Sequence, residues 1–260
     1  MLLKAKWLST RGNVHLKSNQ FSKALIPFHK ALNILKIESE NSLTIAALLN
    51  DIGLSHDLSD SFDSALYYYH KTLVIREEIS GSESLLTAGS FQNIGIVNAL
   101  KGLYGKSEDY FLKSLDIIEK NPASKNSRLL IESYLNMGAF YSNIQQNNKS
   151  INYLNKSLRL LEKQPTEITL LLGRTHFNVG LSHLNEGNLD LASTHLRNGL
   201  LYHKKSLGDN SIEVVRSIES IGDIYVRKEQ YDSAIIIYDQ ALKILQNTSG
   251  KQNRDYAHIL

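Results

Sequence analysis

Six glycines divide the sequence into units of nearly constant length. They recur 41, 42, 43, 42 and 42 residues apart, at Gly12, Gly53, Gly95, Gly138, Gly180 and Gly222. A fixed period of this length is typical of a chain built from tandem copies of one small structural unit, each of which contacts only its neighbours. We therefore expect an array of repeats rather than one or two domains that each enclose a single core.

The residues that follow each glycine repeat as well. A small residue stands twelve positions after it, at Ala24, Ala65, Ser107, Ser150, Ala192 and Ala234. A larger one stands at sixteen, at Phe28, Tyr69, Phe111, Leu154, Leu196 and Tyr238. A second small residue stands at nineteen, at Ala31, Thr72, Ser114, Ser157, Gly199 and Ala241. Helices that cross closely need small residues at the contact and a bulky residue beside them, so each unit is predicted to be a pair of packed helices.

This pattern resembles the tetratricopeptide repeat, in the long variant found in kinesin light chains and in bacterial repeat proteins. The units are longer than the family's typical period of about 34 residues. The resemblance implies an all-α, right-handed superhelical solenoid, with first helices lining a concave groove and second helices on the convex side. We place the repeats at 1–41, 42–83, 84–126, 127–168, 169–210 and 211–252, with 253–260 as the start of a truncated seventh.

The two ends of the chain are unusual for such an array. Because the chain starts so close to Gly12, we expect the first helix of the first repeat to lack the leading turn that the others have. The end of the chain within a seventh repeat favours a piece cut from a longer protein, and the alternative is a natural short array with a frayed tail. Exposed terminal helices would present surfaces that normally meet a neighbouring repeat.

Composition narrows the classes of function. The formal net charge is +3 and basic residues are scattered along the chain, so we expect no nucleic-acid partner. The absence of cysteine excludes thiolate metal sites and cysteine nucleophiles. No apolar run is long enough for a signal peptide or a membrane span, which predicts a soluble, cytoplasmic chain without membrane contact.

Two sequence patterns that suggest enzyme chemistry lack features that this chemistry requires. The segment Gly102–Ser107 resembles a phosphate-binding loop, but Leu100 stands where that loop requires a glycine. Three of the histidines, His15, His56 and His183, occupy a ring position of the repeat, and His176 is too far from His183 along its helix to form a metal-ligand pair. We therefore predict a protein that is not an enzyme and that has no metal site and no cofactor.

The predicted groove carries a row of asparagines. Two positions before each glycine stand Thr10, Asp51, Asn93, Asn136, Asn178 and Ser220. An asparagine side chain both donates and accepts hydrogen bonds, so consecutive asparagines are able to pair with the backbone of an extended peptide. This row resembles the asparagine arrays with which related repeat proteins hold peptides. The alternative is that these asparagines bond to the neighbouring helix and set the curvature of the array.

Other predicted groove residues would supply apolar and charged contacts. One position after each glycine stand Asn13, Leu54, Ile96, Ala139, Leu181 and Asp223, an apolar middle suited to apolar ligand side chains. Lys6, Asn13 and Lys17 share one stripe and resemble part of a carboxylate clamp, although Asp51 stands where that clamp uses an asparagine. At the other end Arg174 and Arg216 belong to a rim of mixed charge.

These observations predict a non-catalytic interaction module that binds a peptide or a segment of a partner protein in its concave groove. Two alternatives stay open. The first is the regulatory or sensor region of a larger bacterial protein, with the effector domain outside this chain; a caspase-like CHAT peptidase, a sensor kinase and a transcription regulator are the effectors that the resemblance implies. The second is a scaffold that self-associates through its exposed terminal helices.

Overall fold

The structure is a computed structural model that describes residues 2–38, 42–124, 127–163 and 169–249. Within these ranges the chain forms twelve α-helices and a short 3-10 helix, Pro122–Ser124, and no strand. The all-α fold predicted from the repeat is confirmed. The chain divides into two compact units, Met1–Lys125 and Asn126–Leu260. The predicted seventh repeat, 253–260, lies outside the described residues.

Each unit consists of three helix pairs. The first unit contains α1 (Leu2–Lys17), α2 (Phe21–Glu38), α3 (Leu43–Asp57), α4 (Phe62–Ser80), α5 (Leu85–Leu100) and α6 (Tyr104–Lys120). The second contains α7 (Arg128–Asn143), α8 (Asn147–Leu161), α9 (Thr169–Asn185), α10 (Leu189–Leu207), α11 (Ile212–Arg227) and α12 (Tyr231–Ser249). Within each unit every helix packs against the next one along the chain.

The first helix of the first repeat is not shortened, and our expectation on this point was wrong. Helix α1 begins at Leu2, ten residues before Gly12, and α3 begins at Leu43, ten residues before Gly53. The residues that precede Gly12 are therefore sufficient for the same leading turns that the other first helices have.

The repeat glycines lie where two helices meet. A carbon atom added at the Cβ position of each of the six would lie 2.2–3.0 Å from the side chain sixteen residues later. Such distances are shorter than van der Waals contact allows. Each glycine therefore accepts the bulky side chain of the second helix directly against the backbone of the first, as the sequence pattern predicted.

The small residues of the second helices are buried, and those with hydroxyl groups tie the two helices together. Ser107 and Ser150, twelve residues after a repeat glycine, each donate to the carbonyl oxygen of that glycine at 2.8 Å. At the second small position, Ser114 donates to the carbonyl oxygen of Ala88, seven residues before the glycine, at 2.8 Å. Thr72 and Ser157 make the equivalent bonds. These bonds satisfy hydroxyl groups that would otherwise be buried without partners.

The turn inside each pair has one recurrent backbone conformation. The seventh residue after every repeat glycine has a positive φ between 54° and 80°, at Asn19, Asp60, Gly102, Gln145, Gly187 and Glu229. Hydrogen bonds from this residue and the next one back to the first helix, such as Leu103 N to Asn98 O at 2.8 Å, form the glycine-type helix end known as a Schellman motif. At four of the six positions a residue other than glycine adopts this conformation, which is sterically unfavourable for L-residues.

No helix in the described part of the chain is both long enough and apolar enough to cross a lipid bilayer.

Candidate functional site

The predicted groove residues lie on the first helix of each pair. We call the residues two before and one after each repeat glycine the first-helix face. Its predicted ligand-binding members are half-buried, at Asn13, Asp51, Leu54, Asn93, Ile96, Asn136, Ala139, Asn178 and Leu181. The three predicted cationic residues, Lys6, Arg174 and Arg216, are exposed. Neighbouring first helices touch, since α1 contacts α3 and α9 contacts both α7 and α11.

One member of the asparagine row bonds to the preceding first helix. The side-chain nitrogen of Asn93 on α5 donates to the side-chain oxygen of Asn50 on α3 at 2.8 Å. This is the kind of contact that the curvature interpretation describes. The bond uses one donor of Asn93 and one acceptor of Asn50, so both amides retain further hydrogen-bonding capacity.

Asp51 forms a polar cluster with Asn13 and Arg76 on the first unit. Partial burial raises the pKa of Asp51 to about 6, although the positive charge of Arg76 and a hydrogen bond from the Asn13 side chain both act to lower it. Arg76, on α4, donates to the backbone oxygen of Leu86 at 3.1 Å and to Ser90 Oγ at 2.9 Å. Near pH 6 the Asp51 carboxyl group is protonated in part of the molecules, and the protonated form is able to donate a hydrogen bond as well as to accept one. Its partner Asn13 is also a member of the predicted carboxylate clamp.

On the second unit one hydrogen bond within a first helix and one between first helices are formed. Asn178 Nδ2 donates to the backbone oxygen of Arg174, one turn earlier in α9, at 2.9 Å. Arg227, from α11, donates to the backbone oxygen of Leu184 at the end of α9 at 2.6 Å. Asn136 lies half-buried on α7. Asn93 thus belongs to the first unit, whereas Asn136 and Asn178 belong to the second.

A cluster of rings that was not predicted from the sequence lies between the two helices of a pair. Positions four before, three after and fifteen after the glycine carry Tyr134, Tyr141 and Tyr153 in α7–α8. The ring planes of Tyr141 and Tyr153 are 11° from parallel, with centroids 5.6 Å apart. We call these positions the ring triad. Only the middle position was recognised from the sequence. A ring also stands fifteen after the glycine in four consecutive repeats, at Tyr68, Tyr110, Tyr153 and His195, and this spacing could have found the cluster.

In α9–α10 the ring triad consists of histidines. The Nδ1 atoms of His176 and His195 lie 3.0 Å apart, so one ring donates and the other accepts according to the tautomer. The ring centroids of His195 and His183 lie 5.9 Å apart. Burial and the neighbouring His195 lower the pKa of His176 to about 4, and burial also lowers the pKa of His195. Both rings are therefore neutral at pH 7.

The histidine triad does not have the arrangement of a metal centre. Among the residues that the structure describes, no group of three or more histidine, cysteine, aspartate or glutamate side chains is placed to hold a metal ion. The cluster acts as packed rings joined by a hydrogen bond, and we assign it no catalytic role.

Solved structures with a similar fold include proteins that bind peptides. The quorum sensor NprR from B. thuringiensis, in its apo form, has a TM-score of 0.73 and 15% identity, covering 98% of this chain and 68% of that one. NprR has also been solved with its cognate peptide NprX. A Rap protein complexed with competence and sporulation factor has a TM-score of 0.65 and 13% identity, covering 100% and 86%.

A further similar structure is BtubC (BKLC) from P. vanneervenii, with a TM-score of 0.66 and 17% identity, covering 78% of this chain and 81% of that one. At these identities the likeness concerns the fold alone. Comparison with curated proteins gave no match.

Sequence profiles of the tetratricopeptide repeat match most of the chain. One profile matches residues 43–120 and 171–247, and a second matches residues 131–162. These ranges include helices of both units and contain five of the six repeat glycines. The chain therefore belongs to the tetratricopeptide repeat family.

Proposed function

We propose that the chain is a non-catalytic interaction module that binds a peptide, or an extended segment of a partner protein, on its first-helix face. The observation that carries this proposal is the mixture of half-buried amide and apolar side chains on that face, represented by Asn93 and Ile96 in the first unit and by Asn178 and Leu181 in the second. Half-buried side chains are already ordered by packing, which lowers the entropic cost of binding a ligand.

The solved structures with a similar fold support the same kind of ligand, because NprR has been solved with a peptide and a Rap protein with competence and sporulation factor. The bond between Asn93 and Asn50 is compatible with the proposal, since the spare donor and acceptor of each amide would be available to a ligand backbone. Two further predictions about the partner remain. The partner would be an effector domain of a larger protein, or another copy of this chain bound through the terminal helices.

Selection from a random dodecapeptide library, followed by fluorescence anisotropy with the selected peptides, tests the proposal. The variants are Asn93→Ala in the first unit and Asn136→Ala and Asn178→Ala in the second, and each removes hydrogen bonds worth about 0.5–1.5 kcal/mol each. We expect each variant in the unit that binds the peptide to lose threefold to tenfold in affinity. Asn155→Ala, on the exposed surface of α8, is the matched control and should bind as the wild type does.

Circular dichroism of each variant establishes that helicity is unchanged. Peptides that bind the wild type and all three variants of the asparagine row equally well would show that the first-helix face is not the binding surface. The curvature interpretation of the asparagine row would then remain.

A further inference from the structure

A second candidate binding surface lies between the second helices α2 and α4 of the first unit. Ile45 and Leu49 of α3 contribute to it, together with Leu32 of α2 and Ile75 of α4. The cavity has a volume of about 670 Å³, within the range of about 300–1,000 Å³ common for ligand sites. We call it the α2–α4 trough. No residue of the first-helix face lines it, so it is distinct from the peptide surface proposed above.

The trough combines an apolar interior with basic side chains. Lys36 and Lys71 line it, and none of the described residues that line it is an aspartate or a glutamate. The ammonium group of Lys71 lies 4.3 Å from the ring centroid of Tyr67, a cation–π contact that restrains the lysine. A partner with negative charges beside apolar groups would therefore match both features of the trough.

The side of the trough formed by α4 is open. Tyr67 is 54% exposed and Val74 is 52% exposed, although both are large apolar residues that line the cavity. A closed cavity would favour a small molecule, whereas an open edge allows a polypeptide segment to lie along α4 with some of its side chains inserted. Exposed apolar surface of this kind marks interaction sites.

The next repeat shows that this chemistry is not a general consequence of the fold. The positions that carry Lys36, Tyr67 and Val74 around the trough carry acidic residues one repeat later, at Glu77, Asp109 and Asp116, whereas the position of Lys71 still carries a lysine, Lys113. The surface between α4 and α6 thus keeps one of the two lysine positions and has carboxylates in place of the other lysine and of two exposed apolar residues. The α2–α4 surface is therefore the more basic and the more apolar of the two, which are the properties that would select an acidic partner.

We propose that the α2–α4 trough docks a short acidic segment of a partner protein, which inserts apolar side chains between α2 and α4. Lys36 and Lys71 pair with carboxylates of that segment, and Leu32, Leu49 and Val74 contact its apolar side chains. Docking here leaves the first-helix face free, so the chain would bind two partners at once.

The probe for this proposal is a fluorescein-labelled dodecapeptide in which glutamates alternate with leucine and phenylalanine, and its binding is measured by fluorescence anisotropy. A second peptide, with lysine in place of every glutamate, should bind at least tenfold more weakly. Affinity for the acidic probe should fall as salt is raised, because the exposed lysines are screened. The double variant Lys36→Glu/Lys71→Glu should lose at least tenfold in affinity, and Val74→Asp at least threefold.

Two controls separate the trough from the rest of the unit. Lys4→Glu reverses the charge of an exposed lysine on α1, as each single substitution in the double variant does, and should leave probe affinity unchanged. Asn93→Ala should also leave it unchanged, whereas loss of probe binding in that variant would place the probe on the first-helix face. Equal binding by the wild type and the Lys36→Glu/Lys71→Glu variant, at unchanged helicity, would overturn the proposal. Binding of decanoate, measured by calorimetry, to a wild-type protein that does not bind the acidic peptide would overturn the choice of a polypeptide partner.

Discussion

The pairs α7–α8 and α9–α10, both in the second unit, share one backbone plan and differ in chemistry. In each pair a carbon added to the repeat glycine would meet a leucine sixteen residues later, Leu154 at 2.4 Å and Leu196 at 2.6 Å. The ring triad, however, is tyrosine in the first pair and histidine in the second. The comparison teaches that the repeat sets where the rings lie, while the choice of ring decides whether the pair responds to pH.

The two pairs also differ at the leading end of their first helices. In α9–α10 the facing positions are Gly173 and Gly199, and a carbon added to Gly199 would lie 3.0 Å from the backbone nitrogen of Phe177. In α7–α8 the same positions carry Ile131 and Ser157, and Ser157 donates to the Ile131 backbone oxygen at 3.3 Å. Close approach of the helix backbones thus replaces a side-chain hydrogen bond.

The largest expected effect comes from giving α9–α10 the isoleucine of its neighbour. In Gly173→Ile the new Cβ would lie 2.5 Å from the ring of His203, which is 2% exposed and bonded through Nδ1 to Ser217. We expect the free energy of unfolding of this region to fall by about 2–3 kcal/mol, because the overpacked ring has no room to move. Native-state hydrogen exchange of the α9 and α10 amides measures this change.

The matched control is Gly105→Ile on α6, where an added carbon meets no atom within 4 Å. That variant should change stability by a few tenths of a kcal/mol at most. A Gly173→Ile protein with the amide protection of the wild type would show that α9 and α10 are further apart than described.

The next effect is a pH dependence of the stability of the helix pair α9–α10. The pKa of His176 is about 4 in the folded chain and about 6.5 when unfolded, so between these values the unfolded chain binds a proton that the folded chain does not. Stability of α9–α10 should therefore fall as the pH is lowered from about 6.5 to 4. Linkage sets an upper limit of about 3 kcal/mol, and partial exposure of the ring reduces our expectation to about 1–2 kcal/mol.

His176→Tyr gives this position the ring of Tyr134, and His176→Gln removes the titrating ring without adding bulk. In both variants hydrogen exchange of the α9 and α10 amides should depend less on pH than in the wild type. A smaller dependence should remain, because burial also lowers the pKa of His195 and His203. If α7–α8 lost as much protection as α9–α10 on acidification, the histidine triad would not be the cause.

The smallest expected effect concerns the turns. Gln145 in α7–α8 has a φ of 59°, whereas Gly187 occupies the same position in α9–α10 with a φ of 80°. Gln145→Gly should raise the free energy of unfolding by about 1 kcal/mol, because glycine adopts this conformation without steric cost. Gly187→Ala should lower it by a similar amount, and urea denaturation measures both. Two changes of the same sign would contradict the assigned conformation.

Sequence reasoning predicted the repeat well because its signals are local and periodic. Spacing alone identified the repeat glycines, their bulky partners and the small residues. It did not identify the helix starts: Ser42, Ser84, Ser127 and Ser211 each stand eleven residues before a repeat glycine and accept a bond from the backbone three residues on. These N-caps were visible in the sequence as a periodic serine, and their spacing could have found them.

The candidate site was less predictable. Its residues could be assigned to one face of the first helices. The residues that they contact, however, are far from them in the sequence. Asn50 was not in the predicted site, and Arg76 lies on a second helix, yet both contact or influence predicted members. The α2–α4 trough was equally hidden, because it depends on the space between helices of different repeats.

The sequence by itself determined the architecture of the helix pairs, since a period and a small-to-large pattern repeated six times constrain which helix surfaces pack together. Tertiary structure decided which side chains meet across helices: the bond between Asn93 and Asn50, the raised pKa of Asp51 and the histidine triad. The physical reason is range. Helix periodicity and packing volume are expressed within one repeat, whereas hydrogen bonding and desolvation depend on atoms that come together only when the helices pack.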